Sequence, residues 1–358
     1  MSKNKLKSQP FLEKERFYNS RNDLSSSMFS DYAYLIRSFF HEITIFLTSS
    51  KNGESRMPKN IQNWVAPSKI VPFSIEPSIT WIGHASFLIQ IGGVNILTDP
   101  IFGSATIFYP RILPPGIQIN DLPRIDYVVI SHNHLDHMDK DSLLALKKLF
   151  PNIKILVPYG DKKWFEKRRF SDVSEFMWWE QAEFKVENSD SDLIKFTFLP
   201  AYHWSQRGLF DQNKSLWGSW MIESNGQTIY FAGDTAYSNH FSHIAKEFPV
   251  IDIALMPIGP CEPRQKMCRS HIDSSESGKS FLDLGATHFI PMHWGTFHFG
   301  TDLFDTPISR LLSWWQTNID QLTFKTLHVV KFGERLSFSY QDLQSSIQKP
   351  KSLELLNK

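Results

Sequence analysis

The alternation of apolar and polar positions divides the chain near residue 79. Ahead of that point, residues 1–30 are polar and are expected to be mobile. Residues 32–47 carry Leu35, Ile36, Phe39, Phe40, Ile43, Phe46 and Leu47 at helical spacing, with Arg37, His41 and Thr44 opposite. That spacing predicts an amphipathic helix with one wet face. It falls short of the ~20 apolar residues that span a bilayer. Its polar face lacks the lysines usual in a membrane-surface helix, so packing against the core or a second copy is the favoured reading and lipid contact the lesser one. Residues 48–60, with Asn52-Gly53 and Pro58, read as a linker.

From residue 79 onward the period shortens to two. Residues 79–82, 87–91 and 94–97 read as strands, the last two joined at Gly92-Gly93. Residues 126–130 form an apolar run that stops at Ser131, as a buried strand would. Asp141 is placed to cap a helix running to Phe150. Further strands are predicted at 154–157, 194–199, 220–223, 228–232, 251–257, 288–292 and 328–332, and helices at 274–284 and 307–315. Early hairpins, then strands alternating with helices, predict two sheets packed as a sandwich and covered by helices.

Composition narrows the function classes. With 41% hydrophobic and 21% charged residues the chain is globular. Its 29 Phe and 11 Trp fit a large aromatic core before they fit a greasy substrate surface. Basic and acidic residues balance at 38 against 37, which argues against a nucleic-acid partner, because phosphate neutralisation needs clustered Lys and Arg. Two cysteines, Cys261 and Cys268, are too few for a disulfide framework and point to a reducing compartment. No apolar run follows the basic residues at the start, so no signal peptide is expected.

The chemistry concentrates in Ser131-His132-Asn133-His134-Leu135-Asp136-His137, directly after an apolar strand. Imidazole nitrogen and carboxylate oxygen are what zinc accepts. In HxHxDH the first two histidines can face one metal while the aspartate and last histidine face another. Three further candidates each end a predicted strand: His203 after 194–199, Asp234 after 228–232, and His293 after 288–292. Gly233 lets the backbone turn beside Asp234. Singly, each is more often a loop residue or a satisfied buried histidine. Together, seven ligands suit two metals, with one carboxylate able to bridge. His84 and Asp99 stand where they could support ligands from behind; for Asp99, a plain Asp-Pro turn is an equal reading.

The motifs as worded here are similar to those of the N-acylphosphatidylethanolamine-hydrolysing phospholipase D family of the metallo-β-lactamase superfamily. They include Thr80-Trp81-Ile82-Gly83-His84-Ala85, Leu97-Thr98-Asp99-Pro100, Leu216-Trp217-Gly218-Ser219-Trp220, Phe231-Ala232-Gly233-Asp234-Thr235, Gly259-Pro260-Cys261-Glu262-Pro263-Arg264 and His293-Trp294-Gly295-Thr296. The resemblance covers nearly the whole chain. It departs at Leu135 and Cys261, where aromatics are usual, and at Gln265, where tryptophan is expected.

This resemblance implies a metallo-β-lactamase-type α/β fold, an αββα sandwich. The hydrolase domain would lie at 61–345, with an N-terminal extension at 1–60 and a polar tail at 346–358. It implies two zinc ions per chain, His132, His134 and His203 on one and Asp136, His137 and His293 on the other, with Asp234 between. Asp136, Asp234 and His271 would be the catalytic residues, His271 as a helper beside the metals. The implied reaction is hydrolysis of N-acylphosphatidylethanolamine to phosphatidic acid and N-acylethanolamine by a metal-held hydroxide attacking phosphorus. A lactonase or small phosphoester hydrolase of the same superfamily is the alternative. A phospholipid substrate, a peripheral membrane surface, a homodimer and a cytoplasmic location are further expectations. No histidine is followed two residues later by lysine, so the paired His-x-Lys route of the common phospholipases D is closed.

Overall fold

The computed structural model describes residues 8–20, 60–187, 193–339 and 343. The helix expected at 32–47 lies outside the described residues, as do most of the linker at 48–60 and the tail at 346–358. Two seven-stranded sheets face each other, and a short hairpin, β1 (Phe11–Glu13) with β2 (Arg16–Tyr18), stands apart from both. Residues 8–20 were expected to be mobile; instead Phe17 is buried and packs edge-on against Tyr159.

The first sheet contains β3 (Ser78–Gly83), β4 (Ser86–Ile91), β5 (Val94–Thr98), β6 (Tyr127–Val129), β7 (Lys154–Pro158) and β8 (Val173–Phe176). Its far edge is β16 (Arg335–Ser337), beside β3. The second runs β9 (Gln181–Lys185), β10 (Leu193–Leu199), β11 (Ser219–Ser224), β12 (Gln227–Phe231), β13 (Ile253–Pro257), β14 (His288–Met292) and β15 (Thr326–Leu327). Each sheet is antiparallel through its first hairpins and then parallel, β5 to β8 in one and β12 to β15 in the other.

Period-two alternation explains the layering. Ile79, Trp81, Phe87, Ile89 and Ile96 face the second sheet and join its Phe196, Phe198, Trp220 and Ile229 in one core. Their neighbours Ile82, Leu88, Leu97, Val128 and Ile155 point the other way, into a second core with Leu143, Leu146 and Phe165. Those last three lie on α1 (Lys140–Leu149) and α2 (Lys162–Glu166). On the outer face of the second sheet lie α3 (His240–Glu247), α5 (Ser274–Leu284) and α6 (Thr306–Thr317), while α4 (Arg264–Met267) is a single turn between sheet and α5. Strands apolar on both faces are what a helix-covered sheet requires. The αββα sandwich is therefore the observed fold.

Three details differ from the pattern reading. Helix α1 is capped by Asp139, whose side chain accepts from the Ser142 amide, rather than by Asp141, which sits in its first turn. Residues 328–332 do not form a strand. Only Phe332 bridges to Val65, and the edge pairing falls to β15 and β16. Strands β8 and β9 and helix α3 carry too few alternating apolar positions to be visible beforehand.

Candidate metal centre

Every sequence-predicted ligand sits just past the C-terminal end of a strand, and all converge on one cleft between the sheet edges. The 131–137 loop follows β6, His203 follows β10, Asp234 follows β12 and His293 follows β14. Behind them, His84 follows β3 and Asp99 follows β5. His84, Asp99 and His293 have φ of 55°, 32° and 62°, a left-handed conformation that side-chain-bearing residues rarely adopt. Strain of this kind, on the order of 1–3 kcal/mol per residue, persists only where surrounding structure enforces it, and it gathers at functional sites. Gly233 has φ 59°, and a Cβ there would come within 2.5 Å of the Ser131 Cβ, so the turn before Asp234 needs glycine.

The ligating atoms fall into two adjacent groups. In one, His132 Nε2 lies 2.8 Å and His203 Nε2 3.2 Å from His134 Nδ1. In the other, Asp136, His137 and His293 gather with His84. Asp234 lies between: its Oδ2 is 3.3 Å from His137 Nε2 and 3.9 Å from His203 Nε2, and its Oδ1 is 3.1 Å from His293 Nε2. The His271 ring stands at the edge, Nδ1 3.6 Å from Asp234 Oδ2, its side chain 18% exposed.

Hydrogen bonds on the far side of four of the rings, His132, His137, His203 and His293, fix which nitrogen faces inward. A carbonyl or carboxylate can only accept, so the ring nitrogen bonded to it must carry the proton. His203 Nδ1 donates to the Ser270 carbonyl, His293 Nδ1 to the Gly259 carbonyl, and His137 Nδ1 to Asp99 Oδ2 at 2.7 Å. The Ser131 hydroxyl donates to Asp99, so His132 Nδ1 donates to that hydroxyl. Their Nε2 lone pairs are thereby aimed at one another, and those of His137 and His293 are buried without a hydrogen-bond partner. Asp99 thus backs a candidate ligand, where the sequence left an Asp-Pro turn as an equal reading. His84 does the same for Asp136, donating Nε2–H to Oδ2 at 2.9 Å, while its own carbonyl accepts from the His293 amide.

The electrostatics agree with neutral donors around two anions. Burial pushes His203, His271 and His84 down to about 3 and His134 to about 4, and pushes His132 well below the usual range. Burial opposes ionisation of Asp136 and Asp234, yet the neighbouring His137, with His293 at Asp234, holds both well below ordinary carboxylates. His137 is the exception: burial disfavours its cation, but Asp234 and Asp136 outweigh it and raise its pKa well above the usual range. Converging lone pairs, orphaned buried nitrogens and two carboxylates fit a divalent cation with nitrogen and oxygen ligands.

Two contributors escaped the sequence reading. Asn133, inside the histidine motif, donates to buried Asp161, which also accepts from Ser215. Asn19, from the segment expected to be mobile, bonds the main chain of His203. A polar residue in a polar stretch carries no signal of such a role.

Comparison with known proteins places this geometry. Residues 94–294 match the family described as a β-lactamase superfamily domain, more than half of the chain, and the chain belongs to that family. Fold and family together place the chain in the metallo-β-lactamase superfamily, and the clustered His and Asp donors form a candidate metal site. Among its relatives, the chain is 37% identical over 233 residues to N-acyl-phosphatidylethanolamine-hydrolyzing phospholipase D 1 of Caenorhabditis elegans, covering 62% of this chain and 65% of that protein. It is 35% identical over 239 residues to the mitochondrial enzyme of that name from Saccharomyces cerevisiae, covering 65% and 50%. The chain thus spans between half and two thirds of these relatives. In fold it is similar to Igni18, a metallo hydrolase of Ignicoccus hospitalis, with a TM-score of 0.56, 21% identity, and 74% and 99% of the two chains covered.

Proposed function

We propose that the protein is a phosphodiesterase that holds two zinc ions and hydrolyses N-acylphosphatidylethanolamine to phosphatidic acid and an N-acylethanolamine. The observation that carries this reading is the split of seven donors into two adjacent groups sharing Asp234. Similarity to two proteins named for this reaction supplies the substrate class. His132, His134 and His203 would hold one ion and Asp136, His137 and His293 the other. When bound, such a pair supplies Lewis-acid polarisation of a phosphoryl oxygen and water acidified to a pKa near ~7.

The chain's own residues do the rest. Asp99 and His84 hold His137 and Asp136 in register, so the donors need not reorganise as charge develops. His271 is neutral at physiological pH, because burial disfavours its cation. It would therefore orient substrate as a neutral hydrogen-bonding group rather than present a fixed positive charge. Beside the site, Phe299 packs between His84 and Tyr109, and the loop holding Tyr109 exposes Ile107. The loop that follows His203 exposes Leu209 and Phe210, both about three quarters accessible. Apolar side chains on two loops of the cleft suit a lipid substrate at a peripheral membrane surface. Among the described residues no helix is long and apolar enough to cross a membrane.

The test is an assay of purified protein against N-acylphosphatidylethanolamine vesicles, a lactone panel and small phosphoesters, with metal content measured alongside. Release of N-acylethanolamine and phosphatidic acid by zinc-loaded protein is expected. Turnover of lactones with none of the lipid would transfer the assignment to a lactonase.

A further inference from the structure

His203 sits on a long loop. Strand β10 ends at Leu199, and β11 does not begin until Ser219. The loop between them carries His203 near its start, so no strand partner holds that peptide unit. Its amide and carbonyl go instead to a single side chain. Asn19 Nδ2 donates to the His203 carbonyl at 3.0 Å, and Asn19 Oδ1 accepts from the His203 amide at 3.1 Å. The same oxygen accepts from Trp217 Nε1 at 2.9 Å, and that buried indole also donates to the Ala201 carbonyl. One amide thus ties the start of the loop to its end.

Asn19 is placed by a lacing of main-chain contacts along its own segment. Trp179 Nε1 donates to the Ser8 carbonyl, and the Arg16 guanidinium donates to the Gln212 carbonyl. The Phe17 amide donates to the Asn213 carbonyl at 2.8 Å, and Asn213 in turn exchanges hydrogen bonds with Ser205. Phe17 itself is buried. Through these contacts the hairpin grips the loop, and Asn19 is the residue that reaches a ligand.

We propose that Asn19 is a positioning residue for His203, and that the 8–20 segment acts through it to set the affinity of the metal position formed by His132, His134 and His203. This rests on the metal-centre reading above. A main-chain clamp costs nothing in ligand chemistry but fixes where the imidazole stands. Partners that orient ligands from behind are worth roughly 10–100-fold in metal affinity. The lower end is expected here, because Asn19 holds the backbone while the Ser270 carbonyl still holds the ring.

The experiment is zinc titration of the full chain by chelator competition, in wild type, Asn19→Ala, His203→Ala and the double variant. Wild type should bind two zinc ions, and Asn19→Ala should weaken one of them about 10-fold and leave the other within about two-fold. In the His203→Ala background, Asn19→Ala should change nothing further, because the residue it positions is gone. Unchanged affinity in the single variant overturns the inference. So does an equal loss with and without His203, which would make Asn19 a general fold contact. Wild type without bound metal would remove the metal-centre reading and this inference with it. If Asn19→Ala does not fold, Asn19→Gln keeps the amide and displaces it by one methylene. A smaller loss at the same position is then expected, and unchanged affinity overturns the inference.

Discussion

On the side of the centre that holds Asp136, His137 and His293, each ligand is backed by a buried side chain or carbonyl at a strand end. Asp99 takes the His137 N–H, His84 takes Asp136, and the His84 carbonyl and the Gly259 carbonyl take the amide and ring of His293. On the side that holds His132, His134 and His203, the long loop after β10 supplies one ligand, and its anchors come from Ser270 and Asn19. Two groups of like donors thus differ in what holds them. The loop after β6 serves both, and His132 is backed through Ser131 by the same Asp99, but only the second also depends on the loop after β10 and on a segment far away in sequence. Loops open at lower free energy than core strands. The second side should therefore lose metal first on heating or chelation.

The largest effect expected is from His132→Ala with His134→Ala. Removing two of three nitrogens should empty that side and abolish turnover, and elemental analysis should find at most the ion held by the core side. Metal held with both histidines gone would show that the two groups are not separate sites. Acid should act on both sides, since ligand histidines must be neutral to bind metal.

Asp99→Ala comes next, and it strikes the core side through His137 and the other side through Ser131 and His132. The carboxylate is fully buried and accepts from the Ser131 amide, the Ser131 hydroxyl and His137. Its removal leaves three buried donors unpaired, at a cost of about 3–5 kcal/mol in unfolding free energy. Denaturant titration checks this. A loss below about 1 kcal/mol would mean that the core side is no better anchored than the loop side.

His271→Ala should spare both sides. The ring stands at the edge of the centre, near Asp234 and His203, outside the three-nitrogen group of His132, His134 and His203. Zinc content should stay at the wild-type level while turnover falls by about 10²-fold, as for a positioned acid–base group. Zinc loss would make it a ligand, and near-normal turnover would make it packing.

The candidate ligands were legible because their chemistry restricts residue type: few sequences place His-x-His-x-Asp-His after an apolar strand by accident. His203, Asp234 and His293 became readable once the strands ahead of them were located. What supports them was harder to read. Asp99-Pro100 looks the same whether the carboxylate turns a chain or holds a histidine, and only the spatial approach of Ser131 and His137 separates the two. Asn19 sits in a polar stretch whose register depends on contacts more than 180 residues away. Residues 328–332 failed in the opposite sense, since the β-branched and aromatic residues of His-Val-Val-Lys-Phe resemble a strand although only Phe332 finds a bridge partner.

The smallest effect expected is a pH dependence confined to the loop side. Asp161 is buried, and its Oδ1 accepts from Asn133, inside the ligand loop, and from Ser215, inside the His203 loop, so it pins the two loops together. Burial raises its carboxyl from the usual 3.8 to about 7, against the pull of those hydrogen bonds and of Arg207. The folded protein therefore keeps a proton that the unfolded chain releases. The stabilisation from the neutral carboxyl is complete below about pH 4 and is lost as pH rises to about 7. A tenfold difference in proton affinity between the folded and unfolded chain corresponds to about 1.4 kcal/mol, and relaxation of the carboxylate towards Arg207 should leave an effect of about 2 kcal/mol. Asp161→Asn keeps an acceptor for Asn133 and Ser215 and cannot ionise. At pH 4 it should match wild type within about 1 kcal/mol, and at pH 8 it should be the more stable by about 2 kcal/mol in denaturant titrations of the metal-free protein. Parallel stability curves for the two proteins between pH 4 and pH 8 would show that Asp161 is ionised throughout, and that the loop side carries no titratable pin.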